Sequence, residues 1–273
     1  MGVNEIWDEY NVTGTGIVVG ILDTGVAYQH PALVNSYRGY DKTTGEWSHD
    51  YNWLDVHLDT DTPYDIIGHG THVTGTVVGR EPGHLIGAAP DAKWISCKGI
   101  SDNNSGTVEG YLRCFQFFMA PTTLLGEDPR PDLRPHIINN SFACSSCEYD
   151  DLLEAVENLV AAGVSFVAAG TNDGIDGCGT VVGTPGSYAA ALSVGAQNVF
   201  STLIAGLSSL GPVSLQDGTF MIKPDIVAPG VNIPSSVPPD RYFSASGTSQ
   251  SSPLVAGVMA LLCQSNPLLV RDV

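Results

Sequence analysis

Short apolar runs alternate with longer stretches of helical periodicity along most of this chain. The apolar runs predict strands over residues 16–22, 93–99, 136–140, 164–169 and 191–195. The longer stretches predict helices over residues 69–78, 107–119, 150–162 and 249–262. Because strands that alternate with helices favour parallel pairing, we expect an α/β fold with a mostly parallel, helix-covered central sheet in one domain over residues 1–273.

Two of these helices have informative patterns. Over residues 150–162, apolar side chains recur at helical spacing, and the pattern ends at Gly163, a typical helix-ending residue. The helix over residues 249–262 is apolar on nearly every face, which predicts burial. Three segments lack either pattern and are predicted to be long loops, namely residues 35–67, 121–135 and 211–239.

Composition narrows the class of protein. The chain has 273 residues, of which 43% are hydrophobic and 15% charged, so it can bury a substantial core. Its net charge of −18 argues against nucleic acid as a partner, because phosphates would be repelled. No apolar stretch approaches the length of a transmembrane helix, so we expect no membrane partner.

Six cysteines predict disulfides in a secreted protein. Cys144 and Cys147 stand three positions apart, which suits a local bridge. A redox role for that pair is disfavoured, because no thioredoxin-like βαβ context surrounds it. A zinc site is also disfavoured, because it would need a second pair of ligands at metal-binding spacing, and the sequence has none. For the others, three pairings and free core thiols remain open; these residues are Cys97, Cys114, Cys178 and Cys263.

Three segments carry side chains suited to nucleophilic chemistry. Asp23 closes the first predicted strand, His69 stands between glycines where a helix begins, and Ser249 opens the apolar helix. A serine hydroxyl needs a neighbouring base to attack at neutral pH, and a helix that begins at the serine offers free N–H groups. His72, inside the same predicted helix as His69, is interpreted as a packing residue.

The chain order Asp23, His69, Ser249, each in its own local context, resembles the subtilisin family of serine proteases. That order is the one known for subtilisin itself, so it is taken from the family. The resemblance extends over nearly the whole chain and is strongest with the bacillopeptidase F-like subgroup. The subgroup features lie at residues 37–40, 51–53, 79–82, 89–95 and 138–141.

The resemblance implies a three-layer sandwich and a serine endopeptidase. His69 would act as base for Ser249, Asp23 would orient His69, and a substrate would lie extended between two backbone edges. Gly183 at the floor of a pocket with small walls leaves room for a large apolar P1 residue, and Asp173 near the rim would also admit a basic one. The implied edge residues are Asn104, Ser105, Gly106, Ser141, Phe142 and Ala143. The implied pocket residues are Ala168, Ala169, Gly170, Thr171 and Gly183.

The oxyanion donor is where this chain departs from the family. Relatives read Ala-Gly-Asn after the strand, whereas this chain reads Ala-Gly-Thr-Asn over residues 169–172. Counting from the helix end at Gly163 without gaps places Asn172 at the donor position, and anchoring on Ala-Gly places Thr171 there. We assign Asn172, because a strand cannot slip by one residue without reversing its faces and an amide reaches further than a hydroxyl. Asn172 as a plain turn residue is the alternative.

The family also sets expectations for cofactors and partners. The chemistry requires no cofactor, and we expect no calcium site in the usual loop, because residues 79–84 lack an Asn-rich ligand pattern and include an arginine. Carboxylates within residues 50–65 leave structural calcium open elsewhere. We expect a secreted monomer whose partners are protein or peptide substrates and its own prosegment as inhibitor. No signal or prosegment is visible, and we expect an early C-terminal end.

Two other classes of protein fit the sequence less well. A catalytically silent relative that only binds peptides is disfavoured, because all three candidate residues are present. A nucleotide-binding α/β protein is disfavoured because the glycines at residues 14 and 16 precede the first strand, so no phosphate loop opens a helix.

Overall fold

The structure is a computed structural model that describes residues 2–81, 84–144, 147–201, 203–215 and 218–269. Three parts of the sequence-based expectations lie outside these residues. They are Pro82 and Gly83 of the expected calcium loop, the two serines between Cys144 and Cys147, and the last four residues of the chain.

The helices and strands in the described residues follow the expected alternation. The helices are α1 (Val3–Tyr10), α2 (His69–Val78), α3 (Val108–Met119), α4 (Leu153–Ala161) and α5 (Thr248–Ser265). The strands are β1 (Val18–Asp23), β2 (Trp53–Asp55), β3 (Arg80–Glu81), β4 (His84–Leu85), β5 (Lys93–Lys98), β6 (Ile137–Asn140), β7 (Ser165–Ala169), β8 (Leu192–Gln197), β9 (Val213–Ser214), β10 (Phe220–Met221), β11 (Ile226–Pro229), β12 (Ile233–Val237) and β13 (Arg241–Ala245). None of these helices combines the length and apolar character that crossing a membrane would need.

A seven-stranded sheet in the order β11-β8-β7-β6-β1-β5-β2 forms the centre of the molecule. The pairings described within it are all parallel, which confirms the expected sheet. Because β1 lies between β5 and β6, Asp23 ends its strand at the middle of the carboxyl edge, opposite Lys98. In open parallel sheets, ligands bind at the carboxyl ends of the strands, so we expect the functional site of this protein at that edge.

Two apolar clusters cover the two faces of this sheet. On one face, Val19 and Ile21 pack with residues of α2 and α5, including Val73 and Ala256. On the other face, Leu22 packs with residues of α3 and α4, which belong to a separate cluster. Successive side chains of a strand point to opposite faces, so β1 contributes to both layers and the molecule is the expected three-layer sandwich.

The prediction of three long loops is partly wrong. Residues 35–67 contain β2, and the segment 211–239 contains β9, β10, β11 and β12, of which β11 extends the main sheet. β12 and β13 pair as an antiparallel hairpin against α2. Strands this short, interrupted by Pro234 and several serines, carry too weak a pattern to be detected in the sequence.

Two disulfides resolve the open cysteine pairings. Cys97 on β5 bonds Cys114 on α3 and ties that helix to the sheet. Cys144 bonds Cys147, as the local spacing predicts. Cys178 is a free and exposed thiol, and Cys263 is a free and buried one.

Candidate active site

Asp23 and His69 form a hydrogen-bonded pair at the carboxyl edge of the sheet. Asp23 is fully buried, and its Oδ1 lies 2.7 Å from His69 Nδ1. The same oxygen accepts the Thr24 backbone N–H at 2.8 Å. A carboxylate can only accept, so Nδ1 carries the proton and the neutral imidazole keeps Nε2 free as a base. The His69 side chain remains 31% exposed, which leaves the ring open to a substrate.

Gly70 explains how α2 comes so close to the end of β1. A Cβ at this position would lie 3.0 Å from Asp23 Cβ and would overlap the carbonyl oxygen of Gly25. Any side chain at this position would push α2 away from β1 and lengthen the contact between Asp23 and His69. The glycine after His69 is therefore required by the close approach of helix and strand.

Asp65 organises the start of α2, and the sequence reasoning missed it. Its buried carboxylate accepts the Gly68 N–H at 2.8 Å, the Thr71 N–H at 2.9 Å and the Thr71 hydroxyl at 2.7 Å. It also accepts the Thr24 hydroxyl at 2.9 Å, which connects it to the residue after Asp23. Burial raises the pKa of Asp65, although these hydrogen bonds oppose the rise. An aspartate just before a helix is a capping signal that could have pointed to it.

The surroundings of His69 set its basicity. Burial lowers the pKa of this imidazole, but the charge of Asp23, the hydrogen bond to it and the charge of Asp65 outweigh burial, so that the pKa is raised above 6.5. A raised pKa makes the ring a stronger base once it is neutral.

Ser249 lies in the first turn of α5 and forms two hydrogen bonds with Ser141, one as donor and one as acceptor. Its hydroxyl donates to the Ser141 carbonyl at 2.9 Å, and its own carbonyl accepts the Ser141 hydroxyl at 3.1 Å. Pro253 has no N–H to occupy the Ser249 carbonyl from the next turn, which leaves that carbonyl free for Ser141. Among the described residues no hydrogen bond joins Ser249 to His69 in this rotamer; such contacts are often loose without substrate.

The Asn172 side chain forms hydrogen bonds with the start of α5, whereas the Thr171 side chain bonds other segments. Asn172 Oδ1 accepts the Thr248 N–H at 2.8 Å and the Thr248 hydroxyl at 3.1 Å. A backbone N–H can only donate, so this contact identifies the oxygen of the amide and leaves Nδ2 free to donate. The Thr171 Oγ1 instead lies 2.7 Å from Ser209 Oγ and 3.2 Å from the Thr180 carbonyl oxygen, within hydrogen-bonding distance of both.

A pocket of about 320 Å³ opens beside Ser249 and Asn172. Six of the implied substrate-binding residues line it, and these are Ser141, Phe142, Ala143, Ala169, Thr171 and Gly183. Ala168 and Gly170 are not among its lining residues; Ala168 is fully buried in the apolar cluster under α3 and α4. Strand alternation explains the difference, because Ala168 and Ala169 must face opposite sides of the sheet. Asp173 also lines the pocket.

The other implied edge, Asn104, Ser105 and Gly106, lies in the connection between β5 and α3. Gly106 packs so closely on the Tyr111 hydroxyl that a Cβ would overlap it. Tyr111 in turn stacks on Phe142 with ring centroids 4.4 Å apart. The two implied edges are therefore connected through a single pair of aromatic rings.

Two further buried groups near the site have structural contacts. Burial lowers the pKa of His72 to about 4, and its Nε2 lies 3.1 Å from the Ile233 carbonyl and 3.2 Å from that of Phe243. His72 thus fastens the β12–β13 hairpin to α2, as expected of a packing residue. Lys98, which the sequence reasoning did not single out, is buried and pairs with Asp102 at 2.8 Å.

Fold and site together define an α/β domain with a hydrogen-bonded Asp23–His69 pair and a helix-borne Ser249 at the carboxyl edge of a parallel sheet. The model of the subtilase family matches residues 14–272. The chain therefore belongs to the subtilase family, which confirms the resemblance seen in the sequence.

Relatives of known name match almost the same stretch. Bacillopeptidase F of Bacillus subtilis (strain 168) is 39% identical over 265 residues, which are 95% of this chain and 18% of that protein. Serine protease AprX of the same organism is 31% identical over 96% of this chain and 60% of its own length. Subtilisin DY of Bacillus licheniformis is 31% identical over 94% of this chain and 80% of its own length. The chain thus spans less than two thirds of bacillopeptidase F and of AprX.

Proposed function

We propose that the chain is a serine endopeptidase that cleaves peptide bonds through Asp23, His69 and Ser249. The observation that carries this proposal is the buried Asp23 hydrogen-bonded to His69 at the same edge where Ser249 and Asn172 line one pocket. Membership in the subtilase family, with relatives named as serine proteases, supports it.

In the proposed reaction, the Ser249 hydroxyl rotates from the Ser141 carbonyl towards His69 Nε2. His69 takes its proton as Ser249 Oγ attacks the peptide carbonyl, and then gives that proton to the leaving amine. Asp23 holds Nδ1–H and stabilises the imidazolium that forms between these steps. Water then enters and hydrolyses the acyl group on Ser249 by the same proton transfers in reverse order.

The tetrahedral intermediate carries a negative oxygen that needs two donors. The Ser249 backbone N–H, in the first turn of α5, has no acceptor within the helix. Asn172 Nδ2 is the second donor that we propose, because Thr248 holds the other atom of the amide and fixes its rotation. Thr171 is the less suitable donor, because its hydroxyl lies within hydrogen-bonding distance of Ser209 Oγ and the Thr180 carbonyl.

A fluorophosphonate probe tests the proposed activity directly, because it bonds covalently to activated serines. We expect labelling at Ser249, mapped by mass spectrometry, together with cleavage of internal bonds in a peptide library. A purified protein that is folded but neither reacts with the probe nor cleaves any peptide would be the silent binding relative instead.

The pocket predicts a preference for large apolar P1 residues such as Phe, Tyr, Leu and Met. A methyl group at position 183 would stand 2.7 Å from Ala143 Cβ and 3.0 Å from Thr171 Cγ2, both in the pocket wall. Gly183→Ala should therefore lower kcat/KM for Phe at P1 by on the order of tenfold relative to Ala at P1. Gly206→Ala is the matched control, since a Cβ there meets nothing within 4 Å.

A library of peptides that differ only at P1 measures this preference. Cleavage after Ala or Gly alone, or strict selectivity for Arg and Lys, would contradict it. A secondary tolerance of basic P1 residues agrees with it, since Asp173 lines the pocket and is exposed.

The pH dependence should follow His69. His69 must be neutral to act as a base, and its pKa is raised above 6.5. We therefore expect kcat/KM to increase with pH as His69 loses its proton, with the midpoint of the increase above pH 6.5. On the alkaline side kcat/KM should reach a plateau. The measurement is kcat/KM of one peptide across pH, with circular dichroism at each pH to show that the protein is folded. A maximum below about pH 5 would indicate carboxylate chemistry.

The remaining expectations join the proposal. Two disulfides favour an oxidising compartment, so we place the protein outside the cell. Its partners are protein or peptide substrates and its prosegment as inhibitor, and it acts as a monomer. Calcium is not needed for the chemistry. We assign no calcium to the stretch 79–84, which carries the cation Arg80, whose Nη1 lies 3.4 Å from Asp91 Oδ1.

A further inference from the structure

The Cys144–Cys147 disulfide lies in the wall of the pocket beside Ser249. Both cysteines line the pocket, together with Ala143, Gly183 and Asn172. On its other side the bridge packs into the apolar cluster under α3 and α4, where Cys144 is buried and Cys147 is partly buried. The bridge thus lies between the pocket and the core.

The bridge also joins the pocket wall to a fixed part of the structure. On the wall side, the Cys144 N–H donates to the Thr184 carbonyl at 2.8 Å, next to Gly183 at the pocket floor. On the other side, Cys147 is two residues from Tyr149, whose carbonyl accepts the hydroxyl of the fully buried Tyr188 at 2.6 Å. Without the bridge, Cys144 and Cys147 remain joined by the main chain alone, so their Cα atoms are no longer held 5.4 Å apart and the wall at Cys144 is free to shift relative to this anchor.

The catalytic groups do not depend on that connection. Asp23 and His69 are held by β1 and α2, and Ser249 is held by α5 and by Ser141. Phe142, on the same segment as Cys144, is fastened separately by its stacking on Tyr111. Loss of the bridge should therefore alter the pocket and leave the reacting groups in place.

We propose that the Cys144–Cys147 disulfide determines P1 specificity, so that its reduction by a low-molecular-weight thiol relaxes the preference for large apolar P1 residues while Ser249 keeps its reactivity. The proposal rests on the endopeptidase function proposed above. In the reduction, a thiolate attacks Cys147 Sγ and the S–S bond breaks with Cys144 leaving as thiolate. A second thiol then displaces the mixed disulfide, so that two thiols are oxidised to one disulfide and both cysteines become thiols.

The two disulfides differ in their access to solvent, which makes the reduction selective. Cys97 and Cys114 are both fully buried, whereas Cys147 is partly exposed beside an open pocket. Because thiol–disulfide exchange requires access to a sulfur, a thiol added to the folded protein should reduce the Cys144–Cys147 bridge first. Differential alkylation followed by mass spectrometry measures which cysteines have become thiols.

The test compares P1 profiles with and without the bridge, in a Cys178→Ser background that removes the exposed free thiol. The disulfide-free protein is Cys144→Ala/Cys147→Ala, and the Cys178→Ser protein alone is the matched control, expected to behave as wild type. We expect the ratio of kcat/KM for Phe over Ala at P1 to fall by about tenfold without the bridge, the size of the effect of one methylene contact. Labelling of Ser249 by a fluorophosphonate without a P1 group should keep its rate.

Native-state reduction provides the second measurement, which does not require the double variant to fold. The wild-type protein reduced at the Cys144–Cys147 bridge alone should show the same fall in the Phe over Ala ratio, and reoxidation should restore it. An unchanged ratio in the reduced protein would overturn the inference, as would an equal loss of kcat for every P1 residue. If the oxidised wild-type protein neither labels nor cleaves, the proposed function itself fails, and the inference fails with it.

Discussion

Ser249→Ala should lower kcat by a factor on the order of 10⁶, the magnitude known for removal of the serine nucleophile of subtilisin itself. The variant keeps the Ser141 hydroxyl bond to the carbonyl of residue 249 and loses only the bond from the Ser249 hydroxyl. KM should therefore change little, because the pocket and the edges remain. Steady-state kinetics on one peptide, at protein concentrations determined by absorbance, measure both constants.

Two comparisons make this prediction specific. Ser265→Ala, an exposed serine at the far end of the same helix, should keep wild-type turnover. The double variant His69→Ala/Ser249→Ala should be no slower than Ser249→Ala, since groups that act as one unit are not additive. Wild-type-like turnover of Ser249→Ala, in a preparation free of contaminating protease, would remove Ser249 from the role.

The parts of the fold that the sequence predicts are those with long, regular patterns. The five predicted strands and four predicted helices all occur, because each has enough apolar residues at one period to be recognised. Their ends are less well predicted: the serine helix begins at Thr248, one residue early, since its first N–H is capped by Asn172 from a distant loop. A cap supplied by another segment leaves no local pattern.

The parts that the sequence misses depend on contacts between distant segments. The β12–β13 hairpin is stabilised on α2 by Ser235 and Ser236, whose hydroxyls donate to the carbonyls of His72 and Thr71 at 2.7 and 3.0 Å. Serine is a poor indicator of a strand, and nothing in the hairpin's own sequence shows that α2 offers these carbonyls. The pairing of Cys97 with Cys114 is likewise set by where α3 packs on β5.

The candidate site shows the same division. Asp23, His69 and Ser249 are predicted as candidates from local signals. Each stands at the end of a predicted strand or at the start of a predicted helix, and such positions can be recognised in the sequence. The placement of Ala168 in the core and of Ala169 in the pocket depends on the phase of β7, which only its pairing with β6 and β8 fixes. For Asp65 the sequence offers only a capping signal before α2, whereas its contact with Thr24, 41 residues away, leaves no local pattern.

Asn172→Leu should lower kcat by about 10² to 10³ with little change in KM, the magnitude known for the corresponding donor of subtilisin itself. The expectation follows from a donor that acts only on the charge of the intermediate, so that ground-state binding is spared. Leucine also removes the acceptor of the Thr248 N–H, so a fall in thermal stability would accompany the loss. Asn172→Asp separates the two effects, because it keeps that acceptor and lacks the NH₂ donor.

The register between Thr171 and Asn172 decides which side chain faces the oxyanion, and paired variants distinguish the two assignments. Thr171→Val removes a hydroxyl that bonds Ser209 and the Thr180 carbonyl, so it should cost stability and leave kcat within a few-fold of wild type. Asn172→Asp should show at least the loss of Asn172→Leu, since its charge also repels the oxyanion. If Thr171→Val instead loses 10² or more in kcat while both Asn172 variants stay active, Thr171 is the donor and the ungapped count from Gly163 is wrong.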